Sequence, residues 1–296
     1  MENKIEKQKY KLGLVLSGGG VRGFAHIGAL QSMCELGLTP DIISGTSAGA
    51  LAGVLFADGY TPAEIMALFK GVKFGKLATT AIPLDGFFKT TGLQTFLEKH
   101  LRAKTFEELR IPLRVVASDI EKGESVIFES GELIPAVVAS CTFPIMFTPI
   151  KIGDRYLVDG GLFINLPVSV IRKECEKVIG VNVSFITTMP YSRSMKYVLG
   201  RSMHYLMASN VLADRQDCDY LIESEEISRF PLFELDKSEA IYRKGYEVAV
   251  DYLKENKKRL EQDFLSASMP SSKKDIGLFS ALTKLFVASA KKKLKS

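Results

Sequence analysis

Short apolar runs of strand length alternate along the first half of the chain with longer segments of helical spacing. KLGLVLS (11–17) is an apolar run that stops at a glycine turn. The helix-like GFAHIGALQSMCELG (23–37) follows it, and DIIS (41–44) supplies a second apolar run. This β-turn-α-β order predicts parallel strands. Residues 48–57 predict a helix, and TPAE (61–64) has the pattern of a capping box, with Thr61 as N-cap, Pro62 at the first helical position and Glu64 at the third. Residues 71–91 carry glycine and threonine without a clear period and are a candidate lid, followed by the helical GLQTFLEKHL. LRVVASD (113–119) and ESVIFES (124–130) predict two strands around a Lys122-Gly123 turn, and YLVDGG (156–161) and KVIGVNVS (177–184) predict two more. A helix is expected over 195–217, a last strand at DYLIES, and an amphipathic helix over 236–260 with Ile241, Val248, Ala249, Tyr252 and Leu253 on one face. No internal repeat is visible, and no linker precedes about residue 266.

Composition narrows the class. At 296 residues, 46% hydrophobic and 25% charged, the chain can bury a sizeable core. The net charge is +5, but residues 273–296 hold seven lysines against Asp275, so the body before them sums to 5 − 6 = −1. A basic character confined to the tail argues against a nucleic-acid surface on the fold. Cys34, Cys141, Cys175 and Cys218 form no CxxC pair and have no close histidine ligand, which points away from a zinc site or a disulfide framework. No other metal or cofactor is expected. MENKIEKQKY lacks the apolar stretch of a secretory leader, and no segment reaches the roughly 18 apolar residues of a membrane span. The expectation is a cytoplasmic protein whose membrane contact is peripheral, at the inner face. Leu278, Leu282, Leu285 and Phe286 share helical spacing with lysines around them, so residues 273–296 fit contact with an anionic membrane, with a terminal helix packed on the body or a solvated tail as the alternatives. The domain division follows: an extension over 1–10, a main folded body over 11–265, and a basic amphipathic tail over 266–296.

Candidate chemistry sits at the strand ends. Gly45-Thr46-Ser47-Ala48-Gly49 is G-x-S-x-G between a strand and a helix, the setting of a nucleophile elbow. Gly18-Gly19-Gly20-Val21-Arg22-Gly23 follows the first strand and opens a helix. As G-x-G-x-x-G it matches a dinucleotide fingerprint, but Asp41 lies before the second strand, whereas a ribose-binding acid belongs at its end. The same glycines can aim backbone N–H groups at a developing oxyanion, with Arg22 bracing the loop. Asp159, ahead of Gly160 and Gly161, is a candidate base, although its reference pKa of about 3.9 requires burial to make it effective at neutral pH. His26, His100 and His204 are the only histidines; only His204 follows the candidate acids, which leaves a Ser–Asp–His204 triad open beside a Ser–Asp dyad.

At GGGVRG, GTSAG and DGG the chain resembles the patatin-like phospholipase family, and the agreement extends through GFAHIGAL, ASCTFPIMFTPI and YLVDGGLFINLPV, over roughly residues 11–185. The resemblance implies a three-layer α/β/α fold with a mostly parallel central sheet. It implies a lipid acyl hydrolase of phospholipase A or lysophospholipase type, with Ser47 as nucleophile, Asp159 as base, and Gly18, Gly19, Gly20 and Arg22 in the oxyanion segment. Its substrate would be a lipid or other fatty-acyl ester. Competing expectations are an esterase or thioesterase on other acyl substrates, a nucleotide-binding protein using GGGVRG, and a noncatalytic membrane adaptor. The segments 72–91 and 141–152 are candidate walls of an acyl pocket.

Overall fold

A computed structural model of the chain describes residues 8–72, 77, 79–80, 86–232 and 234–265. Strand β1 (Tyr10–Leu16), helix α1 (Phe24–Glu35), strand β2 (Ile42–Thr46) and helix α2 (Ala48–Ala57) form the expected β-turn-α-β-α start. Helix α3 (Pro62–Leu68) begins with the capping box read from TPAE, the Thr61 side chain accepting the Glu64 N–H while the Glu64 carboxylate accepts the Thr61 N–H. Strands β3 (Thr79–Thr80) and β4 (Phe88–Lys89) pair as a small antiparallel ladder. Helix α4 (Thr91–His100), strands β5 (Leu113–Asp119) and β6 (Glu124–Phe128), helix α5 (Leu133–Ser140), and strands β7 (Ile150–Ile152), β8 (Arg155–Asp159) and β9 (Cys175–Asn182) follow. The expected 195–217 helix is two, α6 (Met195–Ser209) and α7 (Val211–Gln216), separated at Asn210, whose side chain accepts the Asn165 N–H and donates to the Gly161 carbonyl. Strand β10 (Tyr220–Glu223), the short helix α8 (Glu225–Ser228) and helix α9 (Ser238–Glu255) complete this part.

The main sheet runs β10-β9-β1-β2-β5-β8-β7, with β6 also on β5. The first five are parallel, and β6, β8 and β7 are antiparallel additions. Alternation along the strands sorts the layers. Val15 and Ile42 point to one face, where they pack with Leu166, Ile171, Val178 and Val211 of α7. Leu16, Ile43 and Leu113 point to the other, beneath Gly53 of α2. Helix α2 is apolar all round and largely buried, with Ala48 and Leu51 turned to a cavity, the expected composition of a central helix. Helix α1 sits close to α9 because both have glycine at the crossing: a Cβ at Gly28 would lie 2.2 Å from the Tyr242 carbonyl oxygen, and one at Gly245 2.4 Å from Ala25 Cα. The result is a three-layer α/β/α architecture with a mostly parallel sheet.

The chain divides into two units between Asp251 and Tyr252. The second unit's described part ends α9 and continues through helix α10 (Lys257–Leu260) and one π-helical turn, Glu261–Leu265. The tail expected over 266–296, residues 73–76, 78 and 81–85 of the candidate lid, and the extension up to Lys7 lie outside the described residues. No helix among the described residues is long and apolar enough to cross a membrane.

Candidate active site

The register of β5 decides what meets what. Val115 and Val116 pair with β2 on one edge and β6 on the other. Ala117, Ser118 and Asp119 pair with β6 and β8, so β8 occupies the same edge as β2, beyond its end. Because β2 is parallel and β8 antiparallel to β5, the two strands run head-on toward each other. Thr46 ends β2 opposite Val116, and Asp159 ends β8 opposite Ala117, the next position. Ser47 turns off at this meeting point.

Ser47 has φ 53° and ψ −120°, a region that a non-glycine residue adopts only when its surroundings hold it there. Its N–H donates to Ser140 Oγ at 2.8 Å, and that hydroxyl donates onward to the Val116 carbonyl at 2.6 Å. Its carbonyl accepts the Leu51 N–H at 3.0 Å and the Cys141 thiol at 3.3 Å. The flanking glycines are required by contact rather than by their dihedral angles: a Cβ at Gly45 would stand 2.7 Å from the Ala50 nitrogen, and one at Gly49 2.1 Å from the Leu16 carbonyl oxygen. Gly23 leaves room for Ala48 in the same way, at 2.7 Å.

Asp159 is fully buried. Its N–H donates to the Thr142 carbonyl at 2.8 Å, and its Oδ1 accepts the Gly161 N–H at 2.8 Å. Gly160 lets the chain pass the sheet, since a Cβ there would lie 2.2 Å from the Val116 carbonyl oxygen. Burial pushes the carboxyl up to about 7, against the Ser47 hydroxyl and the Gly161 N–H, which both lower it. Oδ2 has no hydrogen-bond partner among the described residues, while the Ser47 hydroxyl, after burial the next largest influence on the carboxyl, favours its ionised form.

The glycine turn is only partly free. The Gly18 N–H donates to the Asn165 carbonyl at 2.9 Å, and the Gly18 carbonyl accepts Ser184 Oγ at 2.6 Å, so Gly18 anchors the turn. Val21 donates to the Leu232 carbonyl at 2.9 Å. The N–H groups of Gly19 and Gly20 have no bonded partner among the described residues, and both residues line the cavity that holds Ser47 and Asp159. Gly20 has φ +56°, and a Cβ on it would lie 2.4 Å from the Leu232 carbonyl oxygen. Arg22 is buried and acts as a brace to another loop, its Nε donating to the Phe230 carbonyl at 2.8 Å. Burial and the charge of Arg201 lower the Arg22 guanidinium to about 10.

The cavity is about 170 Å³ and overwhelmingly apolar, with Leu51, Phe69, Phe143 and Phe147 on its walls. Leu77 and Thr90 also line it, so both segments expected as pocket walls contribute. None of the three histidines bonds to Ser47 or Asp159 among the described residues. His26 Nε2 is 2.8 Å from the Ser17 carbonyl, with burial lowering its pKa to about 4. His100 packs on Phe96 with ring centroids 4.7 Å apart. His204 lines the cavity but lies 3.4 Å from Arg22 Nη1, and burial, then Arg22 and Arg201, lower it to about 4, so it stays neutral at pH 7. Asp41, the acid required by a dinucleotide reading, instead accepts the N–H groups of Lys11 and Leu12 at the opposite end of β1 from the glycine turn. No group of three His, Cys, Asp or Glu side chains among the described residues is placed to hold a metal ion.

Four supporting residues escape sequence reasoning: Ser140, Thr142, Asn165 and Ser184. Ser140 and Thr142 belong to ASCTFPIMFTPI, and Asn165 to YLVDGGLFINLPV, so the family resemblance covers them. Their roles appear only once α5 is seen to lay Ser140 beside Ser47.

A three-layer α/β fold with a strand-turn-helix serine facing a buried aspartate defines the class of protein. The chain belongs to the patatin-like phospholipase family, whose profile matches residues 14–171. An uncharacterised NTE family protein of Mycobacterium bovis is 33% identical over 162 residues, 54% of this chain and 28% of that protein. YqhO of Bacillus subtilis is 33% identical over 204 residues, 57% of this chain and 70% of that protein. Patatin-like phospholipase domain-containing protein 7 of Rattus norvegicus is 32% identical over 177 residues, 57% of this chain and 13% of that protein. This chain therefore spans little more than a quarter of the mycobacterial relative. Among solved structures, VipD of Legionella pneumophila matches with a TM-score of 0.48 and 15% identity, over 83% of this chain and 67% of that one.

Proposed function

We propose that the protein hydrolyses carboxylic esters of lipids through an acyl-enzyme on Ser47, with Asp159 as the base and no histidine. The observation that supports this most is the head-on meeting of β2 and β8, which brings a strained serine to a buried carboxyl raised to about 7. An aspartate at its ordinary pKa is a weak base; one near 7 is matched to proton transfer at neutral pH. As Ser47 Oγ bonds to the ester carbonyl carbon, its proton passes to Asp159. The carbonyl oxygen takes the negative charge and is met by the Gly19 and Gly20 N–H groups, at the end of a turn that opens α1. Collapse breaks the ester bond, and the leaving alcohol takes the proton from Asp159. Water then gives a proton to Asp159 as it attacks the acyl carbon, and Ser47 recovers that proton when the fatty acid departs. The apolar cavity accounts for a fatty-acyl chain as the bound group.

Hydrolysis of a p-nitrophenyl acyl ester by wild type, Ser47→Ala, Asp159→Asn and His204→Ala tests this. The dyad requires turnover to fall to background in the first two variants and to persist in the third. Loss in His204→Ala with an intact fold would establish a triad instead.

A further inference from the structure

Sixteen large hydrophobic side chains are exposed among the described residues, and nine of them fall between Ile186 and Leu212. Along α6 they recur at Met195, Val198, Leu199 and Leu206, at offsets of three, four and eleven from Met195 that keep them on one side of the helix, and Leu212 adds another in α7. Met195 is 82% exposed and Leu206 60%. Such a concentration is not the scattered exposure of an ordinary surface.

The opposite face of α6 is buried, through Met203, His204, Met207 and Ala208, and His204 and Met207 line the cavity of Ser47 and Asp159. One helix therefore presents an apolar stripe outward and a wall of the acyl cavity inward. Charge adds direction. No Asp or Glu occurs between Glu176 and Asp214, while Arg193, Lys196 and Arg201 lie within the stretch, in a body whose net charge before the tail is −1. Arg201 donates to the Thr187 carbonyl at 2.6 Å and stacks over Tyr205 at 4.5 Å; no carboxylate among the described residues pairs with it. An apolar stripe with cations and no acids fits the headgroup and acyl boundary of an anionic bilayer, where apolar side chains insert and cations meet phosphate.

We propose that the outward face of α6 and the start of α7 docks on an anionic membrane surface and so sets the cavity mouth against its lipid substrate. The proposal deepens the lipid-ester reading and rests on it for the purpose of docking, but its test does not depend on hydrolysis. Full-length protein is cosedimented with vesicles of diether phosphatidylcholine, alone or mixed with diether phosphatidylglycerol, neither of which contains a cleavable ester. Wild type should partition onto the mixed vesicles, more weakly at high salt. Met195→Glu/Leu206→Glu, which alters only exposed positions, should lower that partition by about tenfold or more with unchanged thermal unfolding. Unchanged partition of the double variant would overturn the proposal and assign vesicle binding to the lysine-rich tail, which the variant retains. Equal binding to both vesicle types would overturn its charge component. If the wild type ignores vesicles but self-associates in sedimentation equilibrium, and the double variant is monomeric, the face joins two copies of the chain and the proposal fails. Loss of ester hydrolysis in every assay with vesicle binding intact would remove the catalytic reading and leave this surface standing.

Discussion

Replacing Asp159 with asparagine should stabilise the protein while abolishing its proposed chemistry, and the gain should depend on pH. Burial raises the carboxyl from its ordinary 3.8 to about 7. A group raised in this way contributes stability that is complete below pH 3.8 and is lost as pH climbs through about 7, because the folded state holds a proton that the unfolded chain has released. The difference of about 3 units, at about 1.4 kcal/mol each, puts the full loss near 4 kcal/mol above pH 8. At about pH 5 only some 1.5 kcal/mol of it has been lost, so roughly 2.5 kcal/mol should disappear between pH 5 and pH 8. Asparagine keeps an acceptor for the Gly161 N–H and has no charge to bury. Urea unfolding at a series of pH values should show the stability difference, variant minus wild type, widening by that amount toward alkaline pH. A difference that is flat from pH 5 to pH 8 would show that the carboxyl titrates at an ordinary value and would remove the physical basis for its role as base.

The same titration predicts that kcat/KM of wild type on a soluble ester rises tenfold per pH unit below about 7 and levels above it, since only the ionised carboxylate accepts the Ser47 proton; an activity maximum below pH 5 would contradict it. Ser140→Ala leaves the Ser47 N–H and the Val116 carbonyl without their shared partner, so it should cost about 1–3 kcal/mol in denaturant unfolding and lower kcat more than it raises KM. Gly20→Ala places a methyl group against the Leu232 carbonyl at a positive φ and should displace the free amides, lowering kcat by about a hundredfold while the fold, followed by circular dichroism, persists. His204→Ala should keep most of the turnover, because the ring is neutral and bonds toward Arg22 rather than to Ser47 or Asp159.

Much of this site is legible in the sequence because local rules position it. The β-turn-α-β start, the capping box at Thr61 and the glycine-flanked Ser47 each depend on neighbours within a few residues, and each forms as read. Asp159 is different: its meeting with Ser47 depends on β8 adding to the β2 edge of β5, a pairing of Asp159 with Ala117 that joins the ends of β2 and β8, more than a hundred residues apart in sequence, and that no local pattern encodes. Helix α5 is missed because LIPAVVAS is apolar on every side, which leaves no 3.6-residue period to read, yet this helix delivers Ser140 to the Ser47 N–H. The glycine turn shows a similar limit. Sequence treats Gly18, Gly19 and Gly20 alike, and only the tertiary bond from Gly18 to Asn165 separates an anchor from two free donors. Arg22 reads as a loop-bracing residue, and the structure finds its carbonyl partner on Phe230, 208 residues away.

The most direct test of the central claim is covalent trapping. Wild-type protein treated with an alkyl fluorophosphonate, which phosphonylates an activated serine, should yield one adduct by intact mass, and peptide mapping should place it on Ser47. The rate of labelling should follow ionisation of Asp159 and fall sharply in Asp159→Asn. An adduct on another residue, or none under conditions where the protein remains folded, would contradict Ser47 as the activated nucleophile.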